Sequence, residues 1–76
     1  MSEKFIFEIR PLSLREGFEL RCEGIMDDPL RVERLFEAVV LCKQLGQGFD
    51  FEIRIFDVLG EVAEVLELNR QAVLAD

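Results

Sequence analysis

Apolar and polar side chains alternate from the start of the chain. Between Lys4 and Arg10, Phe5, Phe7 and Ile9 fall on one side and Lys4, Ile6, Glu8 and Arg10 on the other. A period of two belongs to a strand with one buried face. Pro11 ends it, because proline has no N–H to donate to a ladder. Gly17 to Glu23 repeat the pattern, with Phe18, Leu20 and Cys22 opposed to Glu19, Arg21 and Glu23. The short Pro11–Glu16 segment between them predicts an antiparallel hairpin. Phe49 to Phe56 form a third such run, with Phe49, Phe51, Ile53 and Ile55 on its apolar side. Asp57-Val58-Leu59-Gly60 follows, and Asp opening a turn with Gly three residues on predicts a type I turn closed by a left-handed glycine.

Between the second and third runs the period changes. Asp28 reads as a helix cap and Pro29 as a first helical residue, with Asp27 favourable near the positive end of the helix dipole. The predicted helix runs from Pro29 to about Leu45, where Gly46 and Gly48 supply a stop. Its apolar arc holds Val32, Leu35, Phe36, Ala38, Val39, Cys42 and Leu45, and Leu30 and Leu41 fall on its polar side. Glu61–Leu68 is compatible with two states. The turn before it favours a strand paired back on Phe49–Phe56, with Val62, Leu66 and Leu68 toward the core. The spacing of Leu59, Val62, Leu66, Asn69 and Val73 suits a helix instead. Asn69–Asp76 reads as a helical turn or a frayed end.

This order predicts an α+β domain of two layers, a four-stranded antiparallel sheet (ββαββ) with one helix on one face; ββαβα with a C-terminal helix is the alternative. The expected core is Phe5, Phe7, Ile9, Phe18, Leu20, Val32, Leu35, Phe36, Val39, Phe49, Phe51, Ile53 and Ile55. The uncovered face carries acids and bases that are expected to pair across strands.

The plan resembles a group of short bacterial proteins that share a hairpin, a helix rich in Glu, Ala and Leu, and a closing strand ending in an Asp-x-x-Gly turn. The matching stretches are Phe5–Arg10, Gly17–Gly24, Phe36–Leu45 and Glu52–Gly60, roughly half of the chain. Many of that group are basic and contain Trp, and this chain departs from them in both. The resemblance implies a fold and no chemistry, since the group has no settled biochemical activity.

Seventy-six residues, half of them hydrophobic, suit one small domain with a real core. No apolar run approaches the roughly 20 residues of a membrane span, and the first ten residues read as a strand, not a secretory leader. The net charge of −7 works against nucleic acid and anionic lipid, and the bases are scattered. Two cysteines without a CxxC spacing suggest reduced, buried thiols in a cytoplasmic protein. The chain has no His and offers only Ser2 and Ser13 as hydroxyl nucleophiles. No enzymatic activity and no cofactor are therefore expected.

Asp27-Asp28 does not make an oxygen cage for a metal. Gly46, Gly48 and Gly60 lack the strand–glycine–helix context of a phosphate loop. Glu52, Asp57, Glu61, Glu64 and Glu67 read as a solvated acidic face. The leads that remain are apolar. Ile6, Phe56, Ala63 and Val65 are expected on the open sheet face, and Leu30 and Leu41 on the helix exterior. They point to a non-enzymatic interaction module whose partner is a second copy or another protein, meeting it through the open face or an edge strand. The alternative is a small-ligand or regulatory domain with a pocket between helix and sheet.

Overall fold

The segments with a period of two become strands in the computed structural model, which describes residues 4–12 and 17–68. They are β1 (Lys4–Pro11), β2 (Phe18–Cys22) and β4 (Asp50–Phe56), joined by β3 (Leu30–Val32) and β5 (Val62–Leu68), with one helix, α1 (Leu35–Leu45). The class is α+β. The sheet has five strands in the order β3-β2-β1-β4-β5. It is mixed: β1 and β4 run parallel, whereas β1–β2, β2–β3 and β4–β5 are antiparallel. Four antiparallel strands is therefore a correction. The missing strand is β3, and the crossover through α1 returns the chain beside β1 in the parallel sense.

β3 occupies the place where the sequence predicts the start of the helix. Leu30 and Val32 pair with Leu20 and Phe18, so the edge of β2 gains both hydrogen bonds and apolar neighbours. That tertiary pairing outweighs the local preference of Asp28-Pro29 for a helix cap. The chain reaches β3 through a turn in which the Ile25 and Met26 amides donate to the Cys22 carbonyl, at 3.3 and 2.9 Å. Gly24 takes the left-handed backbone there, at φ 95°. The helix begins at Leu35, after Arg34, whose amide donates to Glu37 Oε1 at 3.2 Å. A glutamate at this position satisfies an otherwise orphaned N–H. With 11 residues α1 is about 16 Å long, against about 25 Å for a helix from Pro29 to Leu45 at 1.5 Å per residue.

The core lies where α1 rests over β2, flanked by β1 and β3. Phe7, Ile9, Leu20, Cys22, Phe51, Ile53 and Ile55 rise from the sheet, and Ala38 and Cys42 close on them from the helix. Small residues on the helix allow a near approach, which is why the seam runs through Ala38 and Cys42. Phe36, expected in this core, is 75% exposed instead, because the seam turns its position sideways. Phe49 is also largely exposed, although its ring meets Phe5 edge-on with centroids 5.3 Å apart.

The Asp57–Gly60 turn forms as its residues suggest. The Gly60 amide donates to the Asp57 carbonyl at 3.0 Å, and Asp57 Oδ1 accepts from Leu59 and Glu61 amides at 2.9 and 3.0 Å. Gly60 sits at φ 85°. Glu61–Leu68 contains a strand, so the alternative of a helix there does not hold. A register shift between Ile55 and Phe56 pairs Glu64 with Ile55 and Val62 with Phe56. The bulge carries Val62 to the face away from the core, contrary to the simple alternation. The expectations for Asn69–Asp76, and for Ser2 and Ser13, lie outside the described residues.

Candidate functional site

Alternation and register place rows of side chains across the sheet face that α1 leaves uncovered. One row runs Ile6, Glu52, Glu67; the next Arg21, Glu8, Arg54, Val65. Glu52 and Glu67 lie directly opposite each other on neighbouring strands, an arrangement that is repulsive unless a cation intervenes. Lys4 supplies it, with Nζ 3.1 Å from Glu52 and 2.6 Å from Glu67. Arg54 closes on Glu52 from along its own strand. Other pairs also run along strands: Arg21 to Glu19 at 3.0 Å and Arg10 to Glu8 at 3.7 Å. The expectation of pairing across strands thus holds for Lys4, while the Arg54–Glu52, Arg21–Glu19 and Arg10–Glu8 pairs each link residues two apart on one strand.

Glu52 is only 9% exposed, although α1, the one described helix, lies on the other face of the sheet. Its neighbours' side chains do the shielding, and it keeps its charge. The Arg54 guanidinium, then the Lys4 ammonium, hold its carboxyl below the usual carboxylate range. Hydrogen bonds to Glu67 and then Glu52 hold Lys4 above its own ordinary value. This network is a closed electrostatic account, and it presents no free base or nucleophile.

A concavity of about 740 Å3 opens over β1, bounded by the loop through Met26, Asp27 and Asp28. Its cations Lys4, Arg21 and Arg54 are already committed to Glu52, Glu67 and Glu19. Between helix and sheet, Ala38 and Cys42 belong to the buried cluster that includes Leu20 and Cys22, and a concavity of about 480 Å3 opens beside it between α1 and β3. Both cysteines are free and buried. Burial pushes the Cys42 thiol up to about 12, with a further push from nearby Cys22, and burial raises Cys22 as well. Neutral, shielded thiols are poor nucleophiles. Among the described residues no three Cys, Asp or Glu side chains are gathered so as to hold a metal ion. No helix among them is long and apolar enough to cross a membrane.

The apolar leads divide into two places. Ile6 lies on the open face, separated from Val65 by the charged positions Glu52 and Arg54. Phe56 is half-buried under Arg10, whose guanidinium carbon stands 3.9 Å from the ring centroid. Ala63 and Val65 are exposed on β5, an edge strand. Leu30 is exposed on β3, the opposite edge, and Leu41 is half-buried in a groove between β3 and α1. Leu30, Ala63 and Val65 thus lie on the two edge strands, Ile6 and Phe56 on the inner strands β1 and β4, and Leu41 on α1, and the structure does not join them into one patch. Sequence reasoning passed over Phe36 and Val40, which line the β3–α1 groove. The signal for Phe36 was its position at the margin of the helix's apolar arc, where docking through the opposite margin leaves it in water.

No protein-family model, curated protein or solved structure matches the chain.

Proposed function

We propose that this domain is a non-enzymatic interaction module of the cytoplasm that self-associates by pairing β5 with β5 of a second copy. The observation that carries the reading is the edge itself. β5 has seven residues, it pairs with β4 on one side, and no described strand pairs with its other side. A long open edge is a template for another strand unless it is blunted. Val62 and Val65 are 48% and 50% exposed there.

The sequence of β5 supports a particular register. A two-fold axis normal to the sheet must pass through one residue of each strand, because partners share a face. Placed at Val65, it pairs the regular part of the strand, Val65 with Val65 and Glu64 with Leu66, and brings Ala63 opposite Glu67, while Val62 lies beyond the bulge. No two acids then face each other. Moved to Glu64, it sets Glu64 against Glu64. The net charge of −7 on each copy opposes association at long range, and salt screens that repulsion within about 10 Å at 0.1 M.

Light scattering across a concentration series tests this. The expected result is a monomer–dimer equilibrium that tightens as salt is added. Val65→Glu, which places two carboxylates at the axis, shifts it to monomer, while Ile6→Glu on the open face does not. A strictly monomeric parent protein at high concentration refutes the reading. Dissociation by Ile6→Glu and not by Val65→Glu moves the interface to the sheet face.

A further inference from the structure

β5 is fastened to β4 unequally along its length. Its first half follows the Asp57–Gly60 turn, where Asp57 Oδ1 accepts from the Leu59 and Glu61 amides and the Asp57 amide donates to the Glu61 carbonyl at 2.8 Å. That closed turn holds the start of the strand beside β4. The second half, from Leu66 to Leu68, lies well past the turn. It also carries a liability, because Glu67 stands directly opposite Glu52. Like charges so placed push neighbouring strands apart. Glu52 is nearly buried, so salt and water screen it poorly.

Arg54 offsets Glu52 from within β4. The cation at Glu67 comes from further away. Lys4 belongs to β1, in register with Asp50 of β4, and β4 separates β1 from β5. Its Nζ passes over β4 to stand 2.6 Å from Glu67 and 3.1 Å from Glu52. One ammonium thus ties three strands together. An isolated ion pair in water contributes little. Here its removal leaves two carboxylates face to face, one of them shielded from water, on the half of β5 that the turn does not secure. In the pairing centred on Val65, Glu67 faces Ala63 of the second copy, which has no charge to offer. The cation must come from within the chain.

We propose that Lys4 is the positioning residue of the β5 interface: reaching from β1 across β4, its ammonium straps Glu67, and with it the second half of β5, to the sheet, so that the whole edge is ordered when a second copy meets it. This role rests on the β5 pairing proposed above. The two-fold axis uses it twice, since a Glu67 lies at each end of the paired segment. Both copies must present an ordered edge, so a twofold fall in the ordered fraction weakens the dimer about fourfold.

The test compares Lys4→Met with Lys43→Met. Each removes one positive charge from a chain of net charge −7, but Lys43 lies on α1, on the opposite side of the sheet from Glu67. Amide exchange is read by mass spectrometry on dilute, monomeric protein, and the dissociation constant by light scattering across concentration. Exchange along Leu66–Leu68 is expected to rise about fivefold in Lys4→Met, the upper range for like charges on neighbouring strands, and the dimer to weaken about fourfold. Lys43→Met matches the parent in both readings, and Lys4→Arg restores both. Adding Glu67→Gln to Lys4→Met brings exchange back toward the parent, because the repulsion is gone. Unchanged exchange in Lys4→Met overturns the proposal, and so does equal weakening of the dimer by Lys43→Met. Exchange that stays fast in the double variant assigns the effect to the lysine stem and overturns it too. A strictly monomeric parent whose β5 exchange still quickens in Lys4→Met refutes the pairing, and with it the positioning role, while the strap itself stands.

Discussion

Replacing Gly46 with alanine tests how tightly the helix end sits on the sheet. Gly46 is buried directly after α1, and its amide donates to the Cys42 carbonyl at 2.9 Å. Its backbone, at φ −91° and ψ 4°, lies where alanine is also at home. The obstacle is space. A Cβ there would stand 2.6, 2.8 and 2.9 Å from three ring carbons of Phe51, against about 3.5–4.0 Å for carbons in contact. Phe51 cannot swing aside freely, because it is 5% exposed and meets Phe7 edge-on with centroids 5.5 Å apart. Overpacking of this kind costs about 1–3 kcal/mol. Alanine also restricts the unfolded chain, which offsets about 0.4–1 kcal/mol. The expected net loss centres on about 1.3 kcal/mol, and in a domain this small on roughly 5–10 °C in Tm. Urea titration followed by circular dichroism measures it. Phe51→Leu provides the control: it weakens the core alone, but makes room for the new methyl, so the double variant should lose less than the two single losses together. A neutral or stabilising Gly46→Ala, or strict additivity with Phe51→Leu, refutes the close contact as the reason for glycine.

Two further predictions concern titration. Glu52 has a folded pKa below its ordinary value of 4.5. The stability from its pairs with Arg54 and Lys4 is therefore fully present above 4.5, and it is lost as pH falls through the lower folded value. Glu52→Gln should flatten the acid limb of the urea midpoint against pH; an acid limb identical to the parent's counts against the network. Cys42, with its thiol pushed up to about 12, should stay protonated in the native state while the unfolded chain ionises near 9. Stability should then fall as pH rises past about 9. In a Cys22→Ala background, a disulfide reagent at pH 8 should label Cys42 only as fast as the domain opens, and immediate labelling of the native protein would contradict its burial.

The strands β1, β2 and β4 and the Asp57–Gly60 turn were legible from residue order, because each depends on neighbours only a few positions away. Alternating Phe5-Ile6-Phe7 can bury one face only as a strand, and Asp57 caps its own turn with its own side chain. The α+β class followed from those elements. The apolar residues at the interaction edges were legible as types, since Leu30, Leu41 and Val65 are misplaced on any helix or strand that faces water with its polar side. Their places were not, because those depend on partners distant in sequence. Leu30–Val32 is a strand only because β2 offers it an edge, and the parallel pairing of Phe7 with Ile53 joins residues 46 positions apart. Phe36 and Phe51 look equally buriable in sequence. One is wet and the other dry because α1 settles on its smallest residues, Ala38 and Cys42, and that docking turns Phe36 out of the core while Gly46 comes to rest against Phe51.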